Sequence, residues 1–149
     1  MDKWAAVLLT VFAGSLVAMQ APINSMLGRS VGTFAAASLS FAIGLTVLVG
    51  ITLVAGSGGF HNLGEAGDLK WYYLTGGVLG AIYVTSVLVS VRTLGAGGVT
   101  AATIAGQLTL AVIIDRLGWF GVDKHGFTVE RVVGLALLAV GTFLVVRGK

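Results

Sequence analysis

Long apolar stretches alternate with short polar segments along the whole chain. Five of these stretches are nearly free of charge, and each has roughly the 20 residues needed to cross the hydrocarbon core of a bilayer. The predicted spans are residues 4–27, 33–55, 71–91, 98–117 and 128–146. The stretches lack the alternating polarity of membrane β-strands, which run for about ten residues. The pattern therefore predicts an all-α membrane bundle of five helices in one domain.

Composition supports a membrane protein. Hydrophobic residues make up 56% of the chain and charged residues 10%, whereas soluble domains carry about 25% charged residues. Because this number of charges cannot cover a water-facing surface, the lipid bilayer is expected to solvate most of the protein surface. The chain has no cysteine, which excludes disulfides and thiolate chemistry. Its net charge of +3 comes from cations near the span ends, as in membrane anchoring, and does not indicate nucleic-acid binding.

Individual residues predict where the helices end. Thr128 is placed to cap the fifth helix. Aromatic side chains fall at predicted helix ends, as is typical of membrane interfaces; they are Trp4, Trp71, Tyr72, Tyr73 and Trp119. Pro22 should kink or break the first helix, which favours a span to about Gln20 followed by a short helical extension. The sizeable polar loop is predicted at residues 57–69.

The distribution of cations gives almost no orientation signal. With five spans, one side carries five cations, namely Lys3, Lys70, Arg116, Lys124 and Arg131. The other side carries four, namely Arg29, Arg92, Arg147 and Lys149. Either subtler features fix one orientation, or the chain inserts both ways. In the second case two copies would form an antiparallel homodimer, which reproduces the inverted repeats of many transporters.

No motif indicates an enzyme, and no catalytic, metal or cofactor site is predicted. His61 and His125 both fall in polar loops, where a solvated side chain is the usual state. Ionisable groups within spans are functional candidates, and Asp115 and Arg116 lie near the end of span four. They are predicted either to form a coupling site or gate, or to reach the interface and pair with a loop charge such as Arg131.

Uncharged polar side chains within the spans are candidates for a substrate site. Gln20 and Asn24 lie four residues apart on either side of Pro22, and Gln107 lies near the centre of span four. Tyr83 and Ser86 share a face in span three. Each of these side chains either lines a substrate cavity or hydrogen-bonds a neighbouring helix. Small residues at Gly76, Gly80 and Gly106 predict close helix packing.

Several segments together resemble the YdcZ-type family of the drug/metabolite transporter superfamily. They are AMQAPINSMLGRSVG (18–32), SFAIGL (40–45), GGVLGAIYVTS (76–86), AGQL (105–108) and DRLGWFG (115–121). The resemblance implies a bacterial inner-membrane exporter with a five-helix unit, equivalent to half of a ten-helix transporter. Small multidrug resistance proteins of this superfamily work as antiparallel dimers. They carry an essential glutamate in the first helix, whereas this chain has no acid there beyond Asp2, so proton-coupled cation antiport does not carry over.

The leading hypothesis is a homodimeric transporter of a small, partly apolar solute, working by alternating access with the substrate between protomers. The alternative is a non-transporting subunit or assembly module of a larger membrane complex. A passive channel is a third hypothesis, and the lack of charged rings in the spans speaks against it.

Overall fold

The computed structural model describes residues 2–55, 60, 64, 67 and 70–148. The long helices in this part of the chain are α1 (Lys3–Val31), α2 (Thr33–Ala55), α3 (Gly76–Leu117) and α4 (Val129–Arg147). By length and apolar composition, each could cross a membrane. These described residues contain no strand, which confirms the all-helical prediction. His61 and most of the predicted polar loop lie outside the described residues.

Four long helices stand where five spans were predicted. The predicted third and fourth spans are joined in α3, which has 42 residues. Its backbone departs from helical geometry at Gly95, with φ 66° and ψ 172°. Two helical segments therefore meet at Gly95, inside the predicted connection at residues 92–97. A 3₁₀ turn, Trp71–Thr75, precedes α3 and occupies the predicted start of span three.

The first helix is longer than predicted. It continues through Pro22 to Val31, so Pro22 does not break the helix and the predicted end of the span near Gln20 is wrong. Proline removes one backbone donor, but its fixed φ is close to the helical value and the neighbouring turns remain helical. At the other end, Asp2 caps α1 by accepting a hydrogen bond from the Ala5 N–H at 2.8 Å, which satisfies one unpaired donor of the first turn.

Gly32 alone separates α1 from α2. Its φ of 91° and ψ of 152° lie in a region that essentially only glycine adopts. Its N–H donates to the Gly28 carbonyl at 3.1 Å, and its own carbonyl accepts from the Ala36 N–H at 3.0 Å. One residue thus ends the first helix and supplies an acceptor to the second.

The chain divides into two compact units, residues 1–89 and 90–149. In the first unit, α1 buries one face at i, i+3, i+4, i+7 spacing, formed by Ala21, Asn24, Ser25 and Gly28. The buried cluster of this unit consists of Ala36, Ala37 and Leu88, with Leu27 and Val84 packed around it. Small side chains on α2 therefore let the helix backbones approach closely.

The second unit contains the C-terminal part of α3 and all of α4. Thr142 of α4 donates its hydroxyl to the Ala101 carbonyl of α3 at 3.2 Å. Thr128 caps α4 as predicted, since its hydroxyl accepts from the Arg131 N–H at 3.3 Å. These bonds connect the two helices and fix where α4 begins.

Large apolar side chains remain exposed along the helices. Phe34 is 78% exposed and Val54 is 88% exposed, values that suit contact with lipid tails. Cations lie over aromatic rings at helix ends, with Lys3 Nζ 5.9 Å from the Trp4 ring centre and Lys70 Nζ 5.9 Å from that of Tyr72. Such pairs are typical of the polar interface of a bilayer.

Candidate functional site

A depression on α1 surrounds the Gln20 side chain. It has a volume of about 410 Å³ and is lined by Leu16, Val17, Met19, Gln20 and Ile23. All the lining residues belong to α1, so a single helix forms the wall. Four of them follow i, i+3, i+4, i+7 spacing and therefore share one helix face. Small-molecule sites are enclosed clefts of about 300–1,000 Å³, whereas this depression is an open face of one helix.

Gln20 is exposed close to the middle of α1. The helix has 29 residues centred on residue 17, so Gln20 lies about 4.5 Å from the midpoint along the axis. An amide carries two donors and an acceptor, and leaving these groups unpaired in hydrocarbon costs a few kcal/mol. In hydrocarbon, the Gln20 side chain would therefore need a polar partner, which the apolar side chains around it do not supply.

Asn24 has a different environment, although it lies only one turn from Gln20. It is 6% exposed, and its Nδ2 donates to Ser40 Oγ on α2 at 3.1 Å. Asn24 and Ser40 each lie eight residues from Gly32, so the bond joins equivalent levels of the two helices. The Asn24 amide thus hydrogen-bonds a neighbouring helix, which was the predicted alternative to lining a substrate cavity.

The remaining predicted substrate residues are distributed over both units. Tyr83 is half-buried in α3, and the exposed Ser86 donates its hydroxyl to the Ile82 carbonyl of its own helix at 2.8 Å. Gln107 is exposed in the second unit, close to the middle of the residues of α3 that follow Gly95. Gln20 lies near the middle of α1 and Gln107 near the middle of the part of α3 that follows Gly95, and both side chains are exposed.

Asp115 and Arg116 lie at the end of α3 and contact the segment that leads to α4. The Asp115 carboxylate pairs with Arg131 Nη1 at 3.1 Å, and the two side chains are 29% and 35% exposed. The Arg116 guanidinium lies 5.9 Å from the ring centre of Phe127. Arg131 is the loop charge with which Asp115 was predicted to pair if it were not a coupling site. The ion pair connects the end of α3 to the first turn of α4.

The backbone of this segment folds back on α3 in a way that sequence reasoning did not predict. The His125 N–H donates to the Asp115 carbonyl at 2.9 Å, which satisfies a terminal acceptor of the helix. Gly118 has φ +66°, and a Cβ placed there would lie 2.7 Å from Lys124 Cγ. The αL glycine after Leu117 was the available signal, since glycine in this conformation commonly ends a helix.

The three predicted packing glycines differ in their surroundings. Gly80 faces the Phe41 ring, with 3.5 Å between a placed Cβ and the Phe41 Cζ. A Cβ at Gly76 or at Gly106 would meet nothing within 4 Å. Close packing therefore occurs at Gly80, and the other two leave room for contacts from outside the chain.

Met19 and Ile23 line the depression but were not predicted as site residues. Their apolar character makes them indistinguishable from other lipid-facing positions, and their spacing around Gln20 was the available signal. Within the described ranges, no group of three acidic or histidine side chains is arranged to hold a metal ion.

Comparison with known proteins identifies a family for this chain. The model of a family described as "Putative inner membrane exporter, YdcZ" matches residues 5–144. No curated protein matches the chain significantly, and no solved structure does.

Proposed function

Because the chain belongs to the YdcZ family of inner membrane exporters, we propose that it forms half of a dimeric exporter for a small, partly apolar solute. The exposed Gln20 amide within an apolar face of α1 carries this proposal. The depression around it has one wall, so a solute there would remain open to lipid without a second helix surface. A second copy of the chain would supply that surface and place the site between protomers.

The length of α3 supports five membrane crossings in each copy. At 1.5 Å per residue, a continuous helix of 42 residues would span about 63 Å, twice the thickness of the hydrocarbon core. Residues 76–94 and 96–117, on either side of Gly95, would span about 28 and 33 Å, and each length matches one crossing. Gly95 then marks the point where the chain reaches water and turns back.

Cysteine labelling tests this crossing number, because the native chain has no cysteine. A membrane-impermeant maleimide should label Ala96→Cys, next to the turn, and should fail to label Leu108→Cys in the following crossing. If Ala96→Cys stays unlabelled when the maleimide has access to both faces of the membrane, a turn at Gly95 is ruled out.

An antiparallel arrangement of the two copies agrees with the charge distribution. Five crossings place five cations on one side and four on the other, so the positive-inside rule gives little preference for either orientation. Two oppositely oriented copies would form inverted repeats, and rocking of one copy against the other would expose the site alternately to each side.

In the first unit we assign solute contact to the exposed amide of Gln20, with Tyr83 and Ser86 contributing from α3. In the second unit we assign solute contact to the exposed amide of Gln107. Asn24 contributes by holding α1 against α2, since its amide donates to Ser40. Asp115 and Arg116 would act as a gate at one membrane face. The Asp115–Arg131 ion pair links two helix ends there, and its partial exposure makes it weak enough to open, since such pairs are worth about 0–1 kcal/mol.

Flux from proteoliposomes tests the exporter proposal. The probes share a phenyl body and differ in head group: benzyltrimethylammonium, benzylsulfonate and N-benzylgluconamide. At least one probe should leave loaded liposomes at a higher rate with the protein than without it, and this added efflux should saturate with probe concentration. Gln20→Leu should reduce that rate at least fivefold.

Thr46→Val provides the matched control, because the Thr46 hydroxyl already donates to the Ala42 carbonyl of its own helix at 2.9 Å. The change also replaces a polar side chain by an apolar one within a span, and its rate should stay within twofold of the native protein. If no probe moves, and the protein purifies with stoichiometric partner chains, a non-transporting subunit replaces the exporter proposal.

A further inference from the structure

The side chains around Gln20 restrict the charge of the solute. Leu16, Val17, Met19 and Ile23 are apolar, and Gln20 is the polar member of the lining. The amide is uncharged and offers both donors and an acceptor. It can therefore replace part of the hydration of an amide or hydroxyl group, but it cannot neutralise an ion.

Ionised groups on α1 are too distant to compensate a bound charge. Arg29 is nine residues from Gln20, or about 14 Å along the axis, and Lys3 is 17 residues away on the other side, or about 25 Å. Both lie near helix ends, where water and lipid head groups screen them. Moving an unpaired ion into apolar surroundings is far more costly than moving a hydrogen-bonded neutral group.

The same restriction holds in the apolar stretches that precede α4. Residues 4–28, 33–55, 71–91 and 93–114 contain no Asp, Glu, Lys, Arg or His. Asp115 follows directly, and its carboxylate is paired with Arg131. These stretches therefore provide no carboxylate that could bind a cation or exchange a proton against one, and the carboxylate of the fifth span, Glu130, is exposed in the first turn of α4.

From these observations we infer that the site takes an uncharged solute, with an apolar body of small-molecule size and an amide or hydroxyl group that pairs with Gln20. This inference rests on the proposed export function. It predicts a transport cycle in which no charge moves with the solute and no proton is exchanged at a buried acid.

The three probes in proteoliposomes separate this inference from the exporter proposal. After subtraction of protein-free controls, N-benzylgluconamide should leave at least ten times faster than benzyltrimethylammonium or benzylsulfonate. Its efflux should generate no membrane potential, recorded with a potential-sensitive dye, and should be unchanged by a proton ionophore. Gln20→Leu should remove this saturable efflux, whereas Thr46→Val should retain it.

The outcomes are distinct. Saturable, Gln20-dependent efflux of the cation or the anion would overturn the uncharged-solute inference and leave the exporter proposal standing. Efflux of N-benzylgluconamide that is unchanged in Gln20→Leu would overturn the assignment of this site. If none of the three probes moves, both proposals fail. The selectivity of the native protein is measured without any substitution, so a variant that fails to fold does not obscure the result.

Discussion

Removal of the Asn24 side chain tests how α1 and α2 are held together. The amide is 6% exposed and donates to Ser40 Oγ at 3.1 Å. Hydrogen bonds between membrane helices average about 0.6 kcal/mol and reach about 1.7 kcal/mol. Asn24→Ala also leaves a small cavity, which adds to the loss. We expect the free energy of unfolding to fall by about 1–2 kcal/mol.

A double-mutant cycle isolates the bond from the cavity. Unfolding by SDS in mixed micelles would be measured for Asn24→Ala, Ser40→Ala and the double variant. The expected coupling energy is about 0.6 kcal/mol or more. Thr46→Val combined with Asn24→Ala gives the control cycle, because Thr46 is bonded within its own helix and lies about 9 Å beyond Ser40 along α2. The losses of stability in the Asn24 and Thr46 variants should be additive. If the coupling energy between Asn24 and Ser40 is no larger than that between Asn24 and Thr46, the hydrogen bond does not link the two helices.

Three further changes test other parts of the account. Gly32→Ala should lower the free energy of unfolding by about 1–3 kcal/mol, because its backbone conformation is nearly restricted to glycine; a variant as stable as the native protein in SDS unfolding would contradict this conformation. Asp115→Asn should cost at most about 1 kcal/mol, since the ion pair with Arg131 is partly exposed, and probe efflux should be insensitive to the proton gradient in both proteins. Proton-dependent efflux in the native protein that is lost in Asp115→Asn would instead identify Asp115 as a coupling residue. Gly118→Ala should lower the free energy of unfolding by about 1–2 kcal/mol because of its left-handed backbone, in addition to any loss from the clash with Lys124. Adding Lys124→Ala should remove only the loss from that clash. Complete recovery of stability would show that the backbone is unstrained.

Sequence reasoning could predict the helices because their signals are local. Runs of apolar residues set the length of each helix, and Thr128 shows where α4 begins. The break in α3 was harder to predict, since the non-helical backbone geometry is confined to Gly95. Pro22 was misleading, because loss of one backbone donor is too small a penalty to end a helix with turns on both sides.

The candidate site was predictable only in part. Polar residues in apolar spans drew attention to Gln20 and Asn24, but their spacing did not show that one amide faces α2 while the other is exposed. That difference depends on which side of α1 packs against α2, which is a tertiary property. The ion pair of Asp115 depends likewise on the path of the segment leading to Arg131.

The distance between two copies of α1 tests the central claim most directly. Met19 lines the depression and is 60% exposed, and Met19→Cys would carry the only thiol of the chain for a spin label. With the site between protomers, electron–electron dipolar spectroscopy in nanodiscs should show a dominant label separation below about 25 Å, because contacting helices lie 8–10 Å apart and the labels add their own length. A sample without dipolar coupling, or with separations confined to much longer distances, would contradict a solute site shared by two copies.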